Sequence, residues 1–191
     1  MITPSHRITY ELDAHDRIRS TGADWDRFAL ANGAPELASH RIRLEPLWRF
    51  VTGIEVQHLL RLLFERVRSR NTTIRLPFRC DSPSARRFME LTVRPLPAHA
   101  LTVESRLLRT ETRRYVPLLE RSPRLRYGFL TMCSWCKRIR LVNGEWAEVE
   151  RAVEVMDLFT SADLPMISHG ICRSCADLTF GVVQHLEAIT S

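Results

Sequence analysis

The chain has 191 residues, 45% hydrophobic and 26% charged, with a formal net charge of +6. That is an ordinary globular composition, with room for one medium domain or two small ones. No apolar run approaches the ~18 residues of a membrane-spanning helix, and the opening MITPSHRITYELDAHDR has no apolar signal core, so the cytoplasm is the expected location by default. The charge is uneven: residues 1–108 carry 17 arginines against 12 acids, residues 109–127 six against two, and residues 128–191 five basic residues against eight acids.

In chain order, RITYELD (7–13) alternates Ile8, Tyr10 and Leu12, the period of a strand. AHD makes a turn into a second strand at 17–21. Asp24 stands where it can cap a short helix that Gly33 and Pro35 would end, and 44–51 reads as another helical turn. Residues 54–68 form the clearest helix, with Val56, Leu59, Leu60, Leu63 and Val67 on one stripe. His58 falls on the opposite side and is expected in solvent. Three strands follow. Ile74, Leu76, Phe78 and Cys80 alternate with Arg75 and Arg79; Met89, Leu91 and Val93 form the second; Leu101, Val103, Ser105 and Leu107 the third. DSPS and PLPAHA supply the turns. Pro77 cannot donate to a ladder, which puts its strand at a sheet edge. Arg75, Arg79, Arg86 and Arg87 read as solvated strand and turn residues, and Cys80 as an inert thiol on the apolar side of its strand.

Two strands, short helices, one long helix and three strands can close a single antiparallel sheet with helices over one face. This order, with the run LWRFVTG…LLRLLFERVR…LPFRCDSPSARRFMELTVRPL, resembles a PAS domain over residues 5–108. The resemblance implies a sensory or interaction role, a ligand of unknown identity or a protein partner, and a capacity to dimerise. It also places the Pro77 strand at an edge.

Residues 109–127, charged and broken by Pro117 and Pro123, read as a basic linker with a helical turn at 117–121. The tail from 128 to 191 reads as a separate module. Short strands at 127–132 and 138–142 flank the first cysteine pair. A helix over 146–159 carries Trp146, Val149, Val153 and Met156 on one stripe, with Glu148, Glu150, Glu154 and Asp157 off it. A last helix from Arg173 has Leu178, Val182 and Leu186 on the side of Cys175. No parallel β unit is apparent. Glu150 and Glu154 mark an acidic side on which a signalling partner could dock.

Cys133 and Cys136 repeat their C-x2-C spacing at Cys172 and Cys175. Each pair can bring two thiolates to one ion without strain, and in a reducing compartment such pairs favour metal over disulfide. Sixty-four residues make a thin core that a metal staple would reinforce. One structural Zn2+ per chain on Cys133, Cys136, Cys172 and Cys175 is therefore expected. His169 has three readings: a ligand displacing one cysteine, a donor to a thiolate, or a turn histidine with no metal role. The segment Cys133-x2-Cys136-Lys137-Arg138-Ile139-Arg140…Trp146…Glu150…Ser168-His169-Gly170-Ile171-Cys172-x2-Cys175 also resembles a recurrent bacterial segment attached to PAS or receiver domains. That likeness implies a signalling-associated zinc module.

The expected architecture is α+β: a PAS-like five-stranded antiparallel sheet (1–108), a basic linker (109–127) and a small α/β zinc-stapled module (128–191). The expected function is a non-catalytic regulatory protein. No phosphate-cradling glycine loop, nucleophile elbow or H-E-x-x-H helix occurs, and C-x-x-C-H haem attachment fails because Lys137 follows Cys136. A nucleic-acid-binding regulator using the basic face is the alternative, disfavoured for the acidic tail because phosphate binding depends on basic contacts. A zinc-thiolate redox sensor is a third reading.

Overall fold

The computed structural model describes residues 7–120, 128–158 and 164–188, with side chains as far as Gly181. The linker from 121 to 127, Phe159 at the expected end of the fourth helix, and the Val182 and Leu186 side chains lie outside the described residues.

Five strands form the first sheet: β1 (Arg7–Leu12), β2 (Ile18–Thr21), β3 (Ile74–Arg79), β4 (Ala85–Pro95) and β5 (Leu101–Thr112). Their order is β2-β1-β5-β4-β3, every pair antiparallel. The first three helices, α1 (Trp25–Ala31), α2 (Ser39–Ile42) and α3 (Ile54–Arg70), all fall between β2 and β3 in the chain. This is the α+β, PAS-like arrangement that the element order predicts. Asp24 precedes α1 but makes no side-chain cap; its carboxylate pairs with Arg27 instead.

The apolar stripe of α3 buries Val56, Leu59, Leu63, Phe64 and Val67, with Phe64 sealed where Leu60 is only partly covered. Against it lie Leu12, Leu76, Val93, Leu101 and Val103, all within 1% of full burial. Large side chains thus fill the space between sheet and α3. His58 is exposed, as its position on the helix requires. Asn71 closes the helix in the left-handed conformation, which asparagine tolerates.

β3 is an edge strand and Pro77 lies in its middle. Two residues further on, Arg79 N–H donates outward to Trp135 C=O at 2.7 Å. Alternate residues of a strand direct their N–H groups to the same side, so the donor missing at Pro77 is one the sheet does not need.

Four short strands build a second sheet: β6 (Phe129–Cys133), β7 (Ile139–Arg140), β8 (Trp146–Ala147) and β9 (Met166–Gly170), in the order β8-β7-β6-β9. β6 and β9 are parallel, with α4 (Val149–Val155) in the crossover and α5 (Arg173–Ala188) after β9. Two expectations change here. A parallel pair exists, its second strand hidden in the short MISHG. The fourth helix starts at Val149 rather than 146, because Trp146 and Ala147 pair with Arg140 and Ile139.

One face of this sheet buries Leu130, Met132, Ile139, Val149, Ala152 and Val153 together with Val116 and Leu118. The last two come from the proline-interrupted stretch after β5. That stretch is tied down by Arg113 N–H to Ser84 C=O (3.0 Å) and Val116 N–H to Pro83 C=O (2.9 Å).

Candidate metal centre

β6 ends on Cys133, and a tight turn returns the chain through Cys136. Lys137 N–H donates to Cys133 C=O (3.0 Å) and Cys133 N–H to Arg138 C=O (2.8 Å). The turn puts Lys137 at φ 64°, a left-handed position that costs a side-chain-bearing residue energy. Its Nζ donates to Ser134 C=O at 2.7 Å, fastening the loop to itself.

β9 brings the second pair. Its register sets Gly170 opposite Cys133, and Ser134 N–H donates to Gly170 C=O at 2.9 Å. Cys172 therefore emerges beside Cys133, and its N–H points to Cys133 Sγ at 3.4 Å. Cys175 follows in the first turn of α5, its N–H 3.1 Å from Cys172 C=O.

The four Sγ atoms all lie within 4.8 Å of one another, and Cys136 Sγ and Cys172 Sγ are 3.7 Å apart. A tetrahedral ion with metal–sulfur bonds of ~2.3 Å separates its sulfurs by about 3.8 Å, so the donor set fits one four-coordinate ion. All five cysteines are free thiols. Cys133, Cys172 and Cys175 are buried, while Cys136 is half-buried.

The gathered thiols set one another's protonation. The Cys136 and Cys175 thiols hydrogen-bond to Cys133 and, with nearby backbone N–H groups, hold it far below the usual thiol range against the effect of burial. Cys133 in turn pushes Cys136 up to about 11. Cys133 and Cys136 likewise push Cys175 up, so one thiol of the group ionises at the expense of its neighbours, and all four can be thiolates together only if a cation balances the charge.

His169 is not among the gathered donors. The residue is exposed overall and lines an open cleft with Lys137, Asp81 and Glu120. Partial burial, then the Lys137 charge, lower its pKa. Its carbonyl lies 3.1 Å from where a Cβ on Gly53 would stand. Gly53, at φ 91° before α3, thereby lets the module approach the helix. Cys80 also stands apart from the cluster, half-buried in an open cleft of about 650 Å³ between α1 and the β3–β4 turn.

Sequence reasoning missed Trp135. It is only 6% exposed and belongs to the main core with Cys133, Cys172, Cys175 and the α3 stripe. A tryptophan between two clustered cysteines was the available signal, but no periodicity says where such a turn residue points.

A second constellation was misread. Arg79 is buried rather than solvated. It pairs with Asp81 and, through Nη1, with Glu148 at 2.7 Å. Arg113 Nη1 meets Asp81 at 2.9 Å, and Arg113 Nε donates to Glu150 at 2.9 Å. Arg86 reaches Glu150 at 2.7 Å and Arg138 reaches Glu148 at 3.3 Å. Arg87 donates to Cys80 C=O at 2.7 Å. The acidic side of α4 therefore faces the first sheet at Glu148 and Glu150. Of the two glutamates expected to receive a partner, only Glu154 is open, with 61% of its side chain exposed.

No protein-family model matches the sequence, and no curated protein matches it either. Among solved structures, the chain is similar to a domain of an HTR-like protein from Haloarcula marismortui, at 15% identity and a TM-score of 0.41, over 55% of this chain and 100% of that one. It is also similar to the PAS domain of nitrogen regulation protein NR(II) from Vibrio parahaemolyticus, at 20% identity and a TM-score of 0.35, over 55% of this chain and 91% of that one. No described helix is long and apolar enough to cross a membrane.

Proposed function

We propose that this chain is a non-catalytic regulatory protein of the signalling type. A PAS-like unit (1–108), whose last strand runs on to Thr112, is joined by the basic segment 109–127, part of which packs into the second core through Val116 and Leu118, to a module (128–191) in which Cys133, Cys136, Cys172 and Cys175 hold one structural Zn2+. The observation that carries the reading is the convergence of four thiols from β6, its turn and the start of α5 onto one buried, ion-sized space. An all-sulfur tetrahedral donor set suits zinc or iron; zinc adds no redox chemistry and supplies folding energy to a thin module. Paired C-x2-C thiols gathered as a metal donor set fit a reducing compartment such as the cytoplasm.

The filled interior between the sheet and α3 favours a protein partner over an enclosed small molecule as what the PAS-like unit recognises. Regulation by nucleic-acid binding is disfavoured, because many of the arginines that would serve it are engaged. Arg7 and Arg94 pair with Glu104, Arg106 with Glu90, and Arg79, Arg86 and Arg113 lie in the junction.

Metal analysis with native mass spectrometry on the purified full chain tests the reading. One zinc per chain is expected, with a mass that states whether the protein is monomer or dimer and whether a small molecule co-purifies. A chain that takes up no metal, or an iron-loaded one, would overturn the assignment. Zinc retained through mild oxidant treatment supports a structural ion, and zinc lost at the first oxidised thiol supports the redox-sensor alternative.

A further inference from the structure

We propose that the cysteine turn is a metal-dependent clamp on the open edge of the five-stranded sheet, so that metal occupancy decides whether β3 is covered. This rests on the reading that the four cysteines hold an ion.

An edge strand exposes unpaired backbone groups. Here the edge is covered by the loop between two metal-binding cysteines: Trp135 C=O accepts from Arg79 N–H at 2.7 Å. The Trp135 side chain enters the core shared with α3. Neither Trp135 nor its neighbours lie in regular structure beyond the end of β6, so the position of the loop depends on Cys133 and Cys136 being fixed. The same face is closed by His169 against Gly53 and by the Arg79–Glu148 and Arg113–Glu150 pairs. The two ion pairs join the first sheet or its continuation to the module, and the His169 contact joins the start of α3 to it.

The rest of the first sheet does not depend on the module in this way. Leu12, Leu101 and Val103 come from β1 and β5, three and two places from the clamped edge, and share their core with the α3 stripe. Loss of the ion therefore frees one edge and the start of α3 while the far side keeps its packing. Opening in such local units, below the cost of global unfolding, is a general property of folded chains.

Hydrogen–deuterium exchange on the full chain, zinc-loaded and after chelation with the thiols kept reduced, tests the clamp. Peptides spanning 74–81 and 54–60 are expected to exchange at least about tenfold faster without zinc, a factor worth ~1.4 kcal/mol of local opening. Peptides spanning 7–12 and 101–106 should stay unchanged. Zinc leaving while 74–81 keeps its protection would overturn the clamp and spare the zinc assignment. Equal acceleration everywhere would overturn it by making the ion a global staple. A chain that binds no zinc at all removes the premise and the clamp together. Trp135→Ala, which keeps the carbonyl and all four thiols, should still bind one zinc and show faster exchange at 74–81; protection unchanged there would also overturn the coupling.

Discussion

Arg113 and Asp81 meet at 2.9 Å with only 2% and 1% of their side chains exposed, a sealed ion pair at the junction of the two sheets. Arg113 follows the end of β5, and Asp81 begins the β3–β4 turn. Asp81 also accepts from Arg79, which reaches across to Glu148, so one carboxylate anchors two arginines that both bind acids of the module. Removing it takes the most deeply buried acid from the cluster and leaves Arg79 and Arg113 to Glu148 and Glu150 alone, an effect of up to about 3–5 kcal/mol in comparable sites. Asp81→Ala should lower stability to urea by that order. Glu154→Ala, at an exposed pair with Arg151 3.7 Å away, should change it by less than about 0.5 kcal/mol.

Glu148 and Glu150 give the junction a pH dependence. Burial alone would raise both, but the Arg79 hydrogen bond and charge outweigh it at Glu148. At Glu150 its own backbone N–H, Arg86 and Arg113 do so, leaving both below the usual glutamate range. A group with a lowered folded pKa adds stability that is complete above its unfolded value of ~4.3 and is lost as pH falls through the folded value. Urea midpoints of the Glu148→Gln, Glu150→Gln double variant should therefore fall less steeply than wild type below about pH 4.3. Acid release of metal acts on both proteins, so the difference between the curves is the measure; parallel curves would count against the network.

Metal stoichiometry separates the gathered thiols from the bystanders. Cys133→Ala or Cys172→Ala should abolish tight binding, since each removes a buried donor from a set of four. Cys80→Ser and His169→Ala should leave one ion per chain. Co2+ in place of zinc should give the visible spectrum of a tetrahedral thiolate site, and titration of the variants against it ranks their affinities.

Lys137 tests the turn itself. Its φ of 64° is one that glycine adopts freely and a β-branched residue resists. Lys137→Gly relieves that strain but loses the Nζ bond to Ser134 C=O, so stability should stay within about 1 kcal/mol. Lys137→Val has no such relief and should both destabilise the chain and weaken metal uptake, read as a lower Tm and a weaker Co2+ titration.

Much of the architecture was legible along the chain. The apolar stripe of α3, the alternation in β1 and in β3 as far as Pro77, and the missing donor at Pro77 each report on one element and its burial. The paired C-x2-C spacing likewise pointed to four thiols that do converge. Glu148, Glu150 and Arg79 could not be placed that way: a charged residue off an apolar stripe is equally consistent with solvent and with a partner on another element. The start of α4 was misplaced because Trp146 continues the helical stripe yet is claimed by a two-residue strand that exists only where β7 lies beside it.

The sequence alone determined which segments carry apolar faces and which residues can ligate a soft metal, because periodicity and side-chain chemistry are local properties. The tertiary structure alone decided that Trp135 covers the β3 edge, that Arg113 finds Asp81 across 32 residues and that Arg79 finds Glu148 across 69. Those outcomes depend on two surfaces meeting, and the free energy of a charge or a backbone donor is set by what it faces once water has left.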